Sequence, residues 1–241
     1  MDITKENTLA EIVNSNLNAS CIFDNYRLNY STEGNLKIGE ACLTNGLNAE
    51  VILNKLRKTE NSGFNKLKIS EWDAGMLCDF IINNHHAYTR KILPKLIGGC
   101  NHLVKENICD ELLHEKLLKL KNEFDIHMHK EEKLIFPYIK RMEILIKNRD
   151  KYESPPFGSV ANPVKVMEKE HKDAYSELTI IKRLLSSISS KQKANSDLRS
   201  LNEKYIEFFR DFNFHIHIEN NILFPKAIRL ENKIKKQIFK N

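Results

Sequence analysis

Residues 127–137 read HMHKEEKLIFP and residues 215–225 read HIHIENNILFP, and this pair decides how the chain folds. The two stretches align without a gap. His, His, Glu, Phe and Pro are identical at positions 1, 3, 5, 10 and 11, and positions 8 and 9 are aliphatic in both. His127 and Glu131 are four residues apart, as are His215 and Glu219. Four residues on an α-helix return to nearly the same face one turn along, so each pair projects an imidazole and a carboxylate together. His129 and His217 follow two residues after the first His, about 200° round the helix, and are expected at the surface or behind the ligands.

Working outward, the apolar residues keep helical spacing over four long segments, about 71–97, 105–147, 163–188 and 196–232. In the third, Val164, Met167, His171, Ala174, Leu178, Ile181 and Leu185 advance by threes and fours. In the fourth, Leu201, Tyr205, Phe208, Phe212, His215, Glu219, Ile222 and Leu223 do the same. The breaks fall at Asn61–Ser70, at Asn148–Pro163 and at the Ser-rich stretch 186–195, and Gly98-Gly99 reads as a helix stop. Four such helices with short connections predict an all-α fold, an up-down four-helix bundle over 70–235. Residues 1–65 form a small helical N-terminal domain, with helices expected around Leu9–Asn16, Ile38–Ala41 and Ala49–Lys58 and turns near Asn29 and Gly34. Its core is too small to stand alone, so it leans on the bundle or on a second subunit, which leaves a homodimer open.

The repeat supplies two His and two Glu. The remaining helices each carry a candidate, His85-His86 on the first and His171 on the third. Such a set on four helix faces is costly to bury unless a cation compensates it, and this predicts a metal site. Neighbouring residues diverge by about 100°, so one of His85 and His86 is expected to face it. Imidazole and carboxylate ligands without thiolate suit iron, manganese or zinc, and two glutamates bridging inside a bundle are the di-iron carboxylate pattern.

Composition narrows the function. The chain has 241 residues, 41% apolar and 29% charged, with 8 Gly and 6 Pro. That is a globular, helix-rich balance. The net charge of +6 is spread along the chain, with Lys233, Lys235 and Lys236 the densest run, so no nucleic-acid face is expected. No apolar run approaches the ~20 residues of a membrane span, and the N-terminus lacks a signal pattern. Five cysteines without C-x-x-C spacing fit a reducing cytoplasm, and Cys21 and Cys42 read as small buried hydrophobes. His102, beyond the Gly pair, is left out of the site. No Gly-rich phosphate loop or nucleophile elbow is present.

These residues resemble the hemerythrin-like superfamily and, more narrowly, the repair-of-iron-centres family. The likeness runs through CIFDNYRLNY, IINNHHAYTRKILPKL, HMHKEEKLIFP, VMEKEHKDA and HIHIENNILFP, in that order. The resemblance implies His86, His127, His171 and His215 as terminal imidazole ligands and Glu131 and Glu219 as bridging carboxylates. His86 rather than His85 matches the family's spacing of eight residues before the Pro of L-P-x-L. It implies two Fe ions in an oxo-bridged centre, and a role in repairing iron–sulfur clusters damaged by oxidative or nitrosative stress by supplying iron. Iron–sulfur cluster proteins are then its clients. Binding or sensing of O2 or NO, or reduction of nitric oxide or peroxide at the same irons, is the alternative. Where the family often carries paired cysteines, this chain has Ser31-Thr32.

Overall fold

The computed structural model describes residues 3–59, 68–148, 153–192 and 194–238. Four short helices come first: α1 (Leu9–Ser15), α2 (Ala19–Tyr26), α3 (Ile38–Thr44) and α4 (Ala49–Thr59). A capping box closes the start of α1, with Thr8 accepting from Glu11 N–H and Glu11 accepting from Thr8 N–H. Helix α2 had no counterpart in the sequence reading. These helices enclose their own core around Leu9, Ile12, Phe23, Tyr30, Ile38, Leu53 and Leu56.

Four long helices follow. Helix α5 comprises Ala74–Phe80, a π-helical turn Ile81–His86, and Ala87–Lys105. Helix α6 comprises Glu111–Lys130, a π turn Glu131–Ile135, and Phe136–Asn148. Helix α7 is Ala161–Lys191 without interruption. Helix α8 comprises Ser196–Ile218, a π turn Glu219–Leu223, and Phe224–Ile238. Asp110 caps α6 and Asn195 caps α8 through their side chains. Around the bundle α5 adjoins α6 and α8, and α7 adjoins α6 and α8. This is the expected up-down arrangement.

Two boundaries differ from the sequence reading. Gly98-Gly99 does not stop α5, which continues to Lys105 because Leu96, Cys100 and Leu103 bury their side chains beyond it. Packing of that face outweighs the roughly 1 kcal/mol propensity cost of each Gly. The Ser-rich stretch likewise stays helical as far as Lys191. Part of the 61–70 break and part of the 148–163 break lie outside the described residues.

Two of the three π turns, those of the repeat, have a cause in the sequence. In both repeats the turn ends on Phe-Pro, at Phe136-Pro137 and Phe224-Pro225. Proline has no N–H to give to the carbonyl four residues back, and its ring crowds that carbonyl. The helix widens instead: Phe136 N–H donates to Glu131 O and Phe224 N–H to Glu219 O, five residues back.

The bundle core is divided. One apolar cluster holds Leu96, Leu117, Phe124, Phe208 and Phe212, and a second holds Leu77, Phe136, Ile139, Met167, Leu223 and Phe224. The polar residues singled out above lie in the layer between them.

Candidate metal centre

His86, His127, Glu131, His171, His215 and Glu219 are all buried, and both glutamates are 0% exposed. The structure brings the six together from four helices as two donor groups. In one, His86, Glu131, His215 and Glu219 each offer an atom within 4.8 Å of the others; in the second, His127, Glu131, His171 and Glu219 do so. Both glutamates belong to both groups.

The carboxylates are split oxygen by oxygen. Glu131 Oε2 lies 3.3 Å from His86 Nε2, and its Oε1 lies 3.4 Å from His127 Nε2. Glu219 Oε1 lies 2.9 Å from His215 Nε2, and its Oε2 lies 3.2 Å from His171 Nε2. Each carboxylate therefore faces one group with one oxygen and the other group with the second. Glu131 Oε1 and Oε2, Glu219 Oε2 and His86 Nε2 are buried without a hydrogen-bond partner. Buried carboxylate oxygens without donors are the signature of a place built for cations.

Electrostatics agrees. Burial and the facing Glu219 both push Glu131 up, but His127 and His86 outweigh them and hold it down at about 2. Burial likewise opposes ionisation of Glu219, and His215 and His171 pull it well below its usual range. Burial lowers His127, yet Glu131 raises it to about 10. His86 is raised in the same contest, while burial wins at His215, which falls below its ordinary value. The carboxylates demand positive charge, which protons on imidazole supply where no metal does.

A second layer orients the rings. His86 Nδ1 meets Glu132 Oε1 at 2.7 Å, His127 Nδ1 meets Glu170 Oε2 at 2.9 Å, and His171 Nδ1 meets Asn220 Oδ1 at 2.8 Å. Arg90 and Lys130 pair in turn with Glu132 and Glu170. Such outer contacts fix the tautomer and leave Nε2 for a metal. Sequence reasoning did not single out Glu132, Glu170 or Asn220. Their signal was position, each lying next to a candidate ligand.

The two groups differ in access. A cleft of 590 Å³ between α6 and α7 is lined by His127, His171, Phe124 and Phe212 and by the charged residues Lys119, Glu123, Lys130, Glu170, Asp173 and Glu177. It reaches the His127–His171 group; His86 and His215 do not line it.

The second histidines of the repeat have parted. His129 is exposed, as expected. His217 is 0% exposed and corrects the surface reading: its Nε2 meets Asn14 Oδ1 at 3.0 Å and its ring packs on Tyr30 at 5.6 Å. The N-terminal helices cover α8 there, and among the described residues nothing comparable covers α6 at His129. Asn220 and Asn221 side chains donate to the Ser31 and Tyr30 carbonyls, and Asn213 donates to Asp24. Of the two cysteines expected to be buried, Cys42 is and Cys21 is exposed, on the solvent side of α2. His102 is exposed beside Glu106 and Asp197, away from the centre. His85, expected to turn away, is buried beside His215.

Comparison with known proteins follows the same lines. A family profile described as "Hemerythrin HHE cation binding domain" matches residues 80–227, which span all six residues. A protein of Escherichia coli O157:H7 called "Iron-sulfur cluster repair protein YtfE" is 30% identical over 233 residues, covering 93% of this chain and 97% of that protein. Proteins of the same name from Edwardsiella ictaluri (strain 93-146) and Dickeya chrysanthemi (strain Ech1591) are each 26% identical, covering 93% and 94% of this chain and 97% and 99% of their own length. With buried imidazoles and carboxylates gathered at the middle of a four-helix bundle and likeness along nearly its whole length, the chain belongs to the hemerythrin HHE cation-binding family and, within it, to the YtfE-type iron–sulfur cluster repair proteins.

Proposed function

We propose that this chain is a di-iron protein that repairs damaged iron–sulfur clusters by supplying iron, with His86, His127, His171 and His215 as terminal ligands and Glu131 and Glu219 as bridges. The observation that carries the reading is the pair of donor groups sharing both carboxylates. The donor set suits iron: imidazole and carboxylate, no thiolate. Iron bound there supplies a redox-active cation with positions left for other ligands. The residues around it hold the imidazoles in one tautomer, keep the carboxylates ionised and exclude water from the His86–His215 side.

The cleft gives the His127–His171 side a way out. Glu123, Glu170, Asp173 and Glu177 on its walls are hard oxygen donors suited to a leaving cation. Iron is here cargo as well as cofactor, and iron–sulfur proteins are the clients. The same cleft admits O2 or NO, which keeps binding or sensing of those molecules as the second reading. A cytoplasmic setting follows from the clients, and no described helix is long and apolar enough to cross a membrane. The domain division, 1–65 and 70–235, belongs to this proposal and is supported by the separate core of α1–α4.

The test is metal content followed by transfer. Protein expressed with iron should hold about two irons per chain, the number of donor groups. Labelled iron should pass from it into an apo cluster protein. Two irons without transfer would favour the O2 or NO reading, and zinc or no metal would remove both.

A further inference from the structure

His85 shows the same construction as the imidazoles of the centre. His86, His127 and His171 each give Nδ1 to an outer acceptor and turn Nε2 inward. His85 gives Nδ1 to Asp211 Oδ1 at 2.9 Å, and its Nε2 is buried with no hydrogen-bond partner. A buried polar nitrogen left alone is destabilising, because the water it gave up is not replaced. Its aromatic neighbours Phe80 and Phe214, at 5.4 and 5.9 Å, offer that lone pair no donor.

The ring also lies against a residue of the centre. It is parallel to His215 within 4°, with centroids 5.4 Å apart. The ring pairs that share a donor group, His86–His215 and His127–His171, are 5.0 and 4.7 Å apart and cross at 65° and 64°, so His85 stands stacked behind His215 and must turn to bring Nε2 to the same ion. The π turn Ile81–His86 spreads more residues over one turn, so consecutive side chains diverge less than on an α-helix and both His85 and His86 stay inside.

We propose that His85 is a fifth imidazole of the metal centre, joining His86 and His215 on the ion at that position. It is not one of the four donors already within 4.8 Å of one another, so its engagement accompanies metal binding. The inference rests on the di-iron reading. It makes the two ions unlike: three imidazoles on the enclosed ion, two on the ion facing the cleft. Asp211 is then a positioning residue that holds the ring with Nε2 free.

The experiment uses the full-length, iron-loaded, reduced protein and proton NMR. Imidazole N–H groups on iron-bound histidines give exchangeable resonances shifted far from the ordinary range. The expected result is one such resonance that disappears in His85→Phe, persists in His129→Phe and exchanges faster with water in Asp211→Asn. Chelator should also remove one of the two irons on the order of 10-fold faster from His85→Phe than from wild type. Two irons with no resonance traceable to His85, and unchanged release from His85→Phe, would overturn the proposal and leave the di-iron reading intact. Wild-type protein that takes up no iron pair would overturn both. Should His85→Phe fail to fold, the wild-type spectrum and Asp211→Asn decide the matter.

Discussion

At the residue scale the centre depends on two carboxylates more than on any single imidazole. Glu131 or Glu219 serves both donor groups, whereas each histidine serves one. Glu131→Ala or Glu219→Ala should therefore reduce metal content from two ions to fewer than one, while His129→Ala should leave it unchanged; elemental analysis of the purified variants checks this. His217→Ala should keep its metal and lose stability instead, because its side chain packs the N-terminal helices onto α8. Its titration gives a separate signature. Burial lowers His217 from 6.5 to about 4. The unfolded chain thus takes up this proton first, so the contribution is complete above the unfolded value and disappears as pH falls through about 4. The loss from pH 6.5 to 4 is about 3 kcal/mol for this one group. Denaturant melts should show wild type losing about 3 kcal/mol more than His217→Gln between pH 6.5 and 4, and equal losses would contradict the burial of a neutral His217. The two His–Glu pairs of the repeat were legible because helix spacing puts i and i+4 on one face, whereas the choice of His86 over His85 came from the family resemblance. The fate of His217 was not legible, since its burial depends on Asn14 and Tyr30, about two hundred residues away in the chain.

At the level of the elements, the features that shape the site are the widened turns. Periodicity located all four long helices but not Ile81–His86, Glu131–Ile135 or Glu219–Leu223, because hydrophobic spacing over a long segment averages away one extra residue. The Phe-Pro at the end of each repeat was the visible clue. Pro137→Ala restores the missing donor and should let the turn tighten toward regular α-helix, which rotates Glu131 relative to the residues after it. The expected outcome is a helix at least as stable by thermal melting but a centre that holds iron less firmly, read as faster release to a chelator. Unchanged release would mean that the turn is kept open by packing alone. Gly98-Gly99 teaches the reverse lesson: a local stop signal was overridden by burial of Leu96, Cys100 and Leu103. Helix α2 was missed because its eight residues carry no run long enough to show a period.

For the whole molecule, the N-terminal helices and the metal centre meet on α8. Asn220 accepts from the outer nitrogen of His171 through Oδ1 and gives its amide hydrogen to the Ser31 carbonyl. Gly34 sits so close to Asn221 that an added Cβ would lie 2.2 Å from its Oδ1. Gly34→Ala should therefore unseat this contact; limited proteolysis should then release the N-terminal segment, and the iron on the His171 side should become easier to extract. Equal protease resistance would show that the segment adjusts without letting go. The likeness of this chain to the repair proteins covers 93% of it and so takes in both parts. One consequence follows from the shared carboxylates. A first divalent ion neutralises the two negative charges that attracted it, and the second ion arrives at a chamber already balanced. On the di-iron reading proposed above, loading and unloading would then be sequential rather than independent. A donor of that kind would hand over one ion at a modest cost and retain the other, and its natural unit of delivery would be a single iron.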